Sequence, residues 1–200
     1  MAKTKKDAVL ELVQKKGVVR PKDLVKRGIA KVYLYRLCKE GKLESKEKGL
    51  YTLPHVDFGK NQSLVEVCSK VEKGVICLIS ALSFHEITTQ TSPEIWIAIG
   101  NKDHTPQLKN IRLRIVRFSG EALNFGIEIH AIKGAPIRVY SIAKTVADCF
   151  KYRNKVGIDV AIEALREAWQ QKKCTMDELW KYAKICRVSR VMKPYMEMLE

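Results

Sequence analysis

Residues 31–53 read KVYLYRLCKEGKLESKEKGLYTL, a segment that combines lysines and tyrosines with regularly spaced leucines. A helix over residues 30–40 would turn Leu34, Leu37 and Cys38 toward a core. Its outer side would then carry the basic and phenolic groups, namely Lys31, Tyr35 and Lys39, with Tyr33 and Arg36 near the edge. An anchored helix with cationic and hydroxyl groups on one side is what a reader of the DNA major groove requires.

The segments on both sides of this helix predict its context. Residues 7–16 have the spacing of an amphipathic helix that ends at Gly17, and a short helix opens at Pro21 and stops at Gly28. Residues 43–46 and 50–53 read as two short strands, joined through Gly49, which can adopt the positive φ of a tight turn. Three helices followed by a hairpin predict a winged helix-turn-helix.

The charge of the chain favours an anionic partner. The 200 residues include 37 Lys and Arg against 22 Asp and Glu, a formal charge of +15 with a pI of about 9.6. Residues 1–55 alone hold 15 basic and 6 acidic residues, a net of +9. We therefore predict that the amino-terminal region binds double-stranded DNA.

Ten residues are the predicted DNA contacts. The helix over residues 30–40 would read bases, the hairpin would lie against the backbone or minor groove, and the second helix would hold phosphates. In that order the contacts are Lys31, Tyr33, Tyr35, Arg36 and Lys39, then Lys46 and Lys48, then Lys22, Lys26 and Arg27. Any single lysine could equally be solvated surface, and Tyr33 or Tyr51 could belong to the core, which we favour for Tyr51.

The rest of the chain predicts a second, mixed domain. The amino-terminal domain is expected at residues 1–55, a linker at 56–62 and the second domain at 63–200, with strands at about 94–140 and helices at about 141–199. Ser63 with Glu66 and Thr175 with Glu178 have the spacing of helix capping boxes. The predicted fold class is α+β: a winged helix-turn-helix followed by a mixed α/β domain that ends in a helical region.

Several motifs have the spacing of a chemical site without its partners. Ser141 and Lys144 match S-x-x-K, yet the companion triplets of serine enzymes are missing, and helix capping by Ser141 is the preferred interpretation. Glu44 and Lys46 have the E-x-K spacing of nucleases but no nearby aspartate. Asp148 lies among apolar residues and predicts a buried carboxylate paired with Lys144, Lys151 or Tyr152.

No zinc spacing, Walker loop or dinucleotide loop occurs in the sequence. We expect no catalytic centre, no metal and no cofactor. The six cysteines form no CxxC and read as buried thiols of a reducing compartment. The first ten residues lack the apolar region of a secretory signal, and no apolar run approaches the roughly 20 residues that span a bilayer. We therefore expect a cytoplasmic protein without a membrane partner.

Long ordered strings carry a resemblance to a known family. Residues 76–100 read ICLISALSFHEITTQTSPEIWIAIG, residues 111–123 read IRLRIVRFSGEAL, and residues 137–169 read IRVYSIAKTVADCFKYRNKVGIDVAIEALREAW. With the basic region that ends GLYTL at residue 53, the chain resembles the AbiEi antitoxins of bacterial type IV toxin/antitoxin systems over nearly its whole length.

The resemblance implies a winged helix that binds inverted repeats in its own promoter and an antitoxin domain. It implies autorepression and neutralisation of a nucleotidyltransferase toxin, generally without a stable complex. The family's DNA-reading helix falls on residues 31–39 and its wing on residues 43–53. The positions that match the antitoxin-domain motif are Ser141, Lys144, Thr145, Asp148 and Arg153. We expect a monomer or weak dimer, with two copies on an inverted repeat.

Two other functions remain open at this stage. A DNA-targeted nuclease would cleave DNA with a metal and depend on Glu44 or Asp148, although clustered carboxylates are scarce. An architectural or adaptor protein would bind DNA without sequence preference and use its second domain to bind another protein.

Overall fold

The computed structural model describes residues 4–47 and 49–199. Lys48, one of the predicted wing contacts, lies outside the described residues. The chain divides into two compact units. The first, here the amino-terminal unit, comprises the chain up to Glu72 together with His130–Ile137; the second unit comprises Lys73–Ile129 and the chain from Arg138 onward. The mixed architecture confirms the predicted α+β class.

The amino-terminal unit contains the predicted winged helix-turn-helix. Its elements are α1 (Lys5–Lys16), α2 (Pro21–Val25), α3 (Val32–Lys39), β1 (Glu44–Glu47), β2 (Leu50–Thr52) and α4 (Gln62–Lys70), with a 3-10 turn at Gly59–Asn61 before α4. Strands β1 and β2 pair antiparallel as the wing, and Val19 adds a bridge to Tyr51. Thr4 caps α1 in a capping box with Asp7, and Gly17 ends the helix with φ of 66°.

A small apolar core holds these helices together. Its buried members come from the three helices and from the residues just before α2 and β1: Val9, Leu12, Val13, Val19, Leu24, Leu34, Leu37 and Leu43. Tyr33 and Tyr51 are partly buried and pack against this core. The leucines of α3 therefore fix this helix and decide which of its side chains face outward.

The start of α4 differs from the sequence prediction. Asn61, not Ser63, occupies the N-cap position, and no side chain caps the helix there. The predicted capping box of Ser63 and Glu66 is wrong, because the preceding 3-10 turn leads directly into the helix and places Ser63 inside it. Glu66 instead pairs with Lys70 one turn later, at 2.5 Å.

The second unit combines strands and helices. Its elements, with the hairpin β6 and β7 that it shares with the amino-terminal unit, are β3 (Val75–Ile76), α5 (Leu78–Phe84), β4 (Ile95–Gly100), β5 (Leu113–Phe118), α6 (Glu121–Asn124), β6 (Ile127–Ile132), β7 (Ala135–Tyr140), α7 (Ile142–Lys151), α8 (Arg153–Val156), α9 (Ile158–Gln170), α10 (Met176–Ile185) and α11 (Ser189–Glu197). The five strands form one sheet in the order β5-β4-β3-β7-β6. Strand β4 runs parallel to β5 and antiparallel to β3, and β3 runs parallel to β7.

Helix α7 is the centre of the second core. Every residue from position 143 to position 150 is buried, and the helix packs against α5, α9 and α10. The capping box of Thr175 and Glu178 predicted for α10 is confirmed. None of the helices in the described part of the chain is long and apolar enough to cross a membrane.

The cysteines are buried thiols, as predicted, with the partial exception of Cys38. Burial raises the pKa of Cys186 to about 12 and that of Cys174 to about 11. Such thiols ionise little near neutral pH, so they contribute packing and not reactivity.

Candidate nucleic-acid interface

The outward side of α3 carries the predicted base-reading residues. Lys31, Tyr35, Arg36 and Lys39 are exposed, and Tyr33 is half-buried. None of the three basic side chains on this side pairs with a carboxylate within the described residues. The apolar side of the same helix is buried through Leu34 and Leu37, which are at most 1% exposed. The structure therefore brings these cations together on one helix, on the side opposite its core contacts.

Two tyrosines hold the long cationic side chains of α3. The Arg36 guanidinium lies 5.7 Å from the ring centre of Tyr33, and the Lys39 ammonium lies 5.0 Å from that of Tyr35. These cation–π contacts restrict the side chains without neutralising them. A guanidinium held over an aromatic ring loses less conformational entropy when it forms a bidentate contact with guanine.

The cations of α2 differ in their surroundings. Lys26 and Arg27 are exposed, whereas Lys22 pairs with Glu72 at 2.8 Å. The Lys22 ammonium lowers the pKa of the Glu72 carboxyl, chiefly by this hydrogen bond. Lys22 must therefore exchange a carboxylate for a phosphate if it contacts DNA.

The amino-terminal end of α2 is fixed to α4. The Arg20 guanidinium donates to the carbonyl oxygen of Ser69 at 2.6 Å, and its backbone N–H donates to Asp23 at 2.8 Å. Lys16 also donates to Asp23, at 2.6 Å. The bond from Lys16 holds α2 against α1, and the bond from Arg20 to Ser69 holds it against α4.

The described wing residue, Lys46, is exposed and pairs with Glu44 on the same strand at 3.0 Å. Its hydrogen bond lowers the pKa of the Glu44 carboxyl. This pairing accounts for the E-x-K spacing, because alternate residues of a strand lie on the same face. The nuclease interpretation of Glu44 would require this carboxylate to leave Lys46 for a metal ion.

Two apolar side chains at the interface were missed by the sequence reasoning. Val25 on α2 is 62% exposed, and Val32 on α3 is 43% exposed, next to the exposed Tyr35. Exposed apolar groups at the start of a recognition helix can contact the 5-methyl group of thymine. The helical spacing could have revealed Val32, because it lies one turn before the exposed Tyr35 and Arg36.

The residues that were matched to the family's antitoxin-domain motif lie largely in the interior of the second unit. Lys144, Thr145 and Asp148 on α7 have no exposed surface. Lys144 donates to Asp148 at 2.5 Å, and the Cys186 thiol donates to the other carboxylate oxygen at 3.2 Å. Of the three partners predicted for Asp148, the structure selects Lys144.

Aromatic rings surround the buried ammonium. The Nζ atom of Lys144 lies 4.1 Å from the ring centre of Tyr140 and 4.7 Å from that of Phe118. Burial raises the pKa of Asp148, and the Lys144 charge opposes this shift. Two further motif residues donate hydrogen bonds to nearby backbone carbonyls. Thr145 donates to the carbonyl of Tyr140 at 3.2 Å, and Arg153 donates to that of Phe150 at 3.0 Å.

Ser141 occupies the N-cap position of α7, but its hydroxyl makes no cap hydrogen bond. The preferred interpretation of Ser141 as a helix cap is therefore correct in position and wrong in mechanism. Its Oγ atom is buried and has no hydrogen-bond partner within the described residues.

Asp148 is the carboxylate of the second unit on which the nuclease interpretation would depend. Asp148 is committed to Lys144 and Cys186 and is closed to solvent. Across residues 4–47 and 49–199, no group of three or more His, Cys, Asp or Glu side chains could hold a metal ion.

Known proteins match different parts of this description. Residues 7–54, from α1 through the wing, match the family model described as "Transcriptional regulator, AbiEi antitoxin". The resemblance to AbiEi regulators is thereby confirmed for this segment, which is less than half of the chain. No curated protein matches the chain significantly.

Solved structures also match. One is the crystal structure of the RV2827C protein from Mycobacterium tuberculosis, at 12% sequence identity and a TM-score of 0.51. The match covers 92% of this chain and 72% of that chain. At this identity the similarity shows the fold alone, and it extends beyond the winged helix into the second unit.

Proposed function

We propose that the protein is a sequence-specific DNA-binding autorepressor of the AbiEi type. The α3 helix reads base edges with Lys31, Tyr33, Tyr35, Arg36 and Lys39, while Lys22, Lys26 and Arg27 of α2 and Lys46 and Lys48 of the wing hold the backbone. The observation that carries this proposal is the outward side of α3, where three cations without carboxylate partners in the described chain lie opposite two buried leucines.

The symmetry of the target follows from the same helix. A monomeric winged helix reads one half-site, so an inverted repeat is occupied by two copies of the chain. We propose a monomer or weak dimer in solution and two copies on the operator. Sedimentation of the protein with and without a repeat-bearing duplex measures both states.

The decisive residue for specificity is Arg36. Arg36→Ala should weaken binding to the operator by about 1 to 3 kcal/mol and relax the preference at one base pair, because a bidentate guanine contact is lost. Fluorescence anisotropy with the upstream region of the gene and with scrambled DNA measures both effects. Equal losses on the two duplexes would show that Arg36 contacts only the backbone.

Arg166→Ala is the matched control for this measurement. Arg166 is an exposed arginine on α9 of the second unit, so its replacement removes the same charge away from α3. The control variant should bind the operator like the wild type. If the two variants lose the same affinity, net charge and not α3 determines binding.

We further propose that the chain neutralises a nucleotidyltransferase toxin without forming a stable complex with it. The burial of Lys144, Thr145 and Asp148 supports this, because these motif residues have no surface with which to contact a partner. They act instead by holding α7 in place.

Co-expression tests this second activity. A nucleotidyltransferase encoded next to this gene should arrest growth, and the wild-type chain should restore it. The Arg36→Ala variant should restore growth as well, because α3 serves DNA binding alone. Failure of the wild type to restore growth would leave a DNA-binding regulator without antitoxin activity.

A further inference from the structure

A cavity of about 560 Å³ lies within the second unit at one end of its sheet. The carboxyl ends of the parallel strands β4 and β5 reach it through Gly100 and Phe118, and β7 contributes Arg138. Ligands of α/β proteins commonly bind outside the carboxyl ends of parallel strands, and the volume falls in the range of small-molecule sites. None of the predicted DNA contacts lines this cavity.

Positive charge dominates the lining of the cavity. Lys73, Lys102 and Arg138 contribute cations, and none of the three forms an ion pair in the part of the chain that the structure describes. Asp103 is the one carboxylate among the lining residues, and its Oδ2 already accepts the backbone N–H of Gly100 at 2.9 Å. The three cations outnumber the one carboxylate, so the lining of the cavity has a net positive charge.

Arg138 provides an independent indication of a ligand. Its Nε atom is buried and has no hydrogen-bond partner within the described residues. The residue is held on β7 between Ile137 and Val139, which have no exposed surface. A buried donor without an acceptor costs free energy, and an anion bound in the cavity would supply the acceptor.

The other residues that line the cavity suit a ligand that is partly apolar. Phe118, Leu123 and Ile127 give an apolar side, while Asn101, Ser119 and Asn124 offer hydrogen-bond donors and acceptors. Phosphate alone would use only the cations. A ligand that fills the cavity needs an anionic end and a ring or similar body with polar edges.

We propose that this cavity binds a nucleotide-sized phosphate compound. Its phosphate groups lie against Lys73, Lys102 and Arg138, with the Arg138 guanidinium as the oriented donor. Its base lies against Leu123 and Ile127 and meets the amide groups of the rim. The proposal concerns the second unit and does not depend on DNA binding by α3.

Calorimetric titration of the full-length protein without DNA tests the site, with ATP, AMP and inorganic phosphate as probes. We expect ATP to bind more tightly than AMP, and inorganic phosphate to bind most weakly. Arg138→Gln should weaken ATP binding at least tenfold. Arg166→Gln, which makes the same change on the exposed surface of α9, should leave ATP binding unchanged.

Two further variants keep the test decisive. Arg138 lies in a strand, so its replacement could lower ATP binding by disturbing the fold. Lys102→Ala removes a cation from the loop after β4 instead, and it should also weaken ATP binding. Arg36→Ala should bind ATP like the wild type. The ATP measurement therefore tests the cavity separately from DNA binding by α3. ATP binding that is undetectable in the millimolar range, or unchanged in both cavity variants, would overturn the proposal.

Discussion

At the scale of single residues, the buried pair of Lys144 and Asp148 shows how a charged motif can be structural. Both side chains have no exposed surface, and aromatic rings and a thiol satisfy the ions. Desolvation of two charges costs much of what their attraction returns, but a single buried charge without its partner is far less favourable. The motif is therefore sensitive to the loss of either member and tolerant of the loss of both.

Asp148→Ala should lower the free energy of unfolding of the second unit by about 3 to 5 kcal/mol, because it leaves the Lys144 ammonium buried and unpaired. The double replacement of Lys144 by Met and Asp148 by Leu should be close to neutral. The three tryptophans, Trp96, Trp169 and Trp180, all belong to the second unit, so urea denaturation followed by tryptophan fluorescence reports this unit. A double variant as unstable as the single one would contradict this account.

Asp23 is a buried carboxylate whose pKa is shifted in the opposite direction to that of Asp148. Burial opposes its ionisation, but hydrogen bonds from Lys16 and from the Arg20 backbone outweigh burial and hold the pKa of Asp23 below its usual value. A depressed pKa stabilises the folded state above the unfolded pKa of about 3.9, and this contribution disappears as the pH falls through the folded value.

Asp23→Asn should therefore reduce stability by about 1 kcal/mol at pH 7, because Lys16 is partly exposed and solvent screens the pair. The difference from wild type should shrink as the pH is lowered from about 7 toward about 2, through the lowered pKa of Asp23. Thermal denaturation followed by circular dichroism at both pH values measures it. Asp177→Asn is the control, since Asp177 forms no ion pair in the described chain, and an equal effect of that change would remove the assigned role of Asp23.

At the scale of elements, the sequence predicted those whose apolar spacing extends over several turns and those bounded by Pro or Gly, such as α2 and the wing. In α3, Leu34 and Leu37 determine the buried side, and the outer residues follow from helix geometry alone. Strand β3 has two residues, α6 four and α8 four, and none was predicted, because so short a run cannot display a period. The cavity lined by Arg138 was missed for another reason: it depends on which strands, distant in sequence, lie side by side in the sheet.

The predicted linker shows a related difficulty. Residues 56–62 lack periodicity, yet Phe58 within them is 4% exposed and is followed by the 3-10 turn that leads into α4. A single anchoring side chain cannot be distinguished from a solvated one by composition. Burial of Phe58 depends on partners elsewhere in the fold, and the sequence pattern does not contain them.

The exposed start of α3 yields a prediction about base preference. If Val32 contacts a thymine methyl group, replacing that thymine by deoxyuridine should weaken wild-type binding by about 1 kcal/mol. Val32→Ala should bind both duplexes with similar affinity, because its shorter side chain cannot reach the methyl group. Anisotropy titrations on single-substituted operators measure this. Uniform affinity of the wild type for every deoxyuridine position would exclude a thymine contact by Val32.

At the scale of the whole molecule, the formal charge of +15 implies strongly salt-dependent association with DNA. Neutralisation of six to eight phosphates would give a slope of log affinity against log salt of roughly −5 to −7. Carboxylates that already pair with the lysines predicted to contact DNA make this salt dependence weaker. Glu72 occupies Lys22 and Glu44 occupies Lys46, so phosphates must displace both.

Glu72→Gln should consequently strengthen DNA binding by up to about fivefold, because a surface ion pair contributes at most about 1 kcal/mol and Lys22 becomes available to a phosphate. Lys22→Ala should make the salt slope less negative by about 0.9. Glu121→Gln is the matched control: it raises the net charge equally from α6 of the second unit without releasing Lys22. Anisotropy titrations across a series of salt concentrations measure all three variants. If Glu121→Gln and Glu72→Gln strengthen binding equally, the gain comes from net charge, and Lys22 is not a phosphate contact.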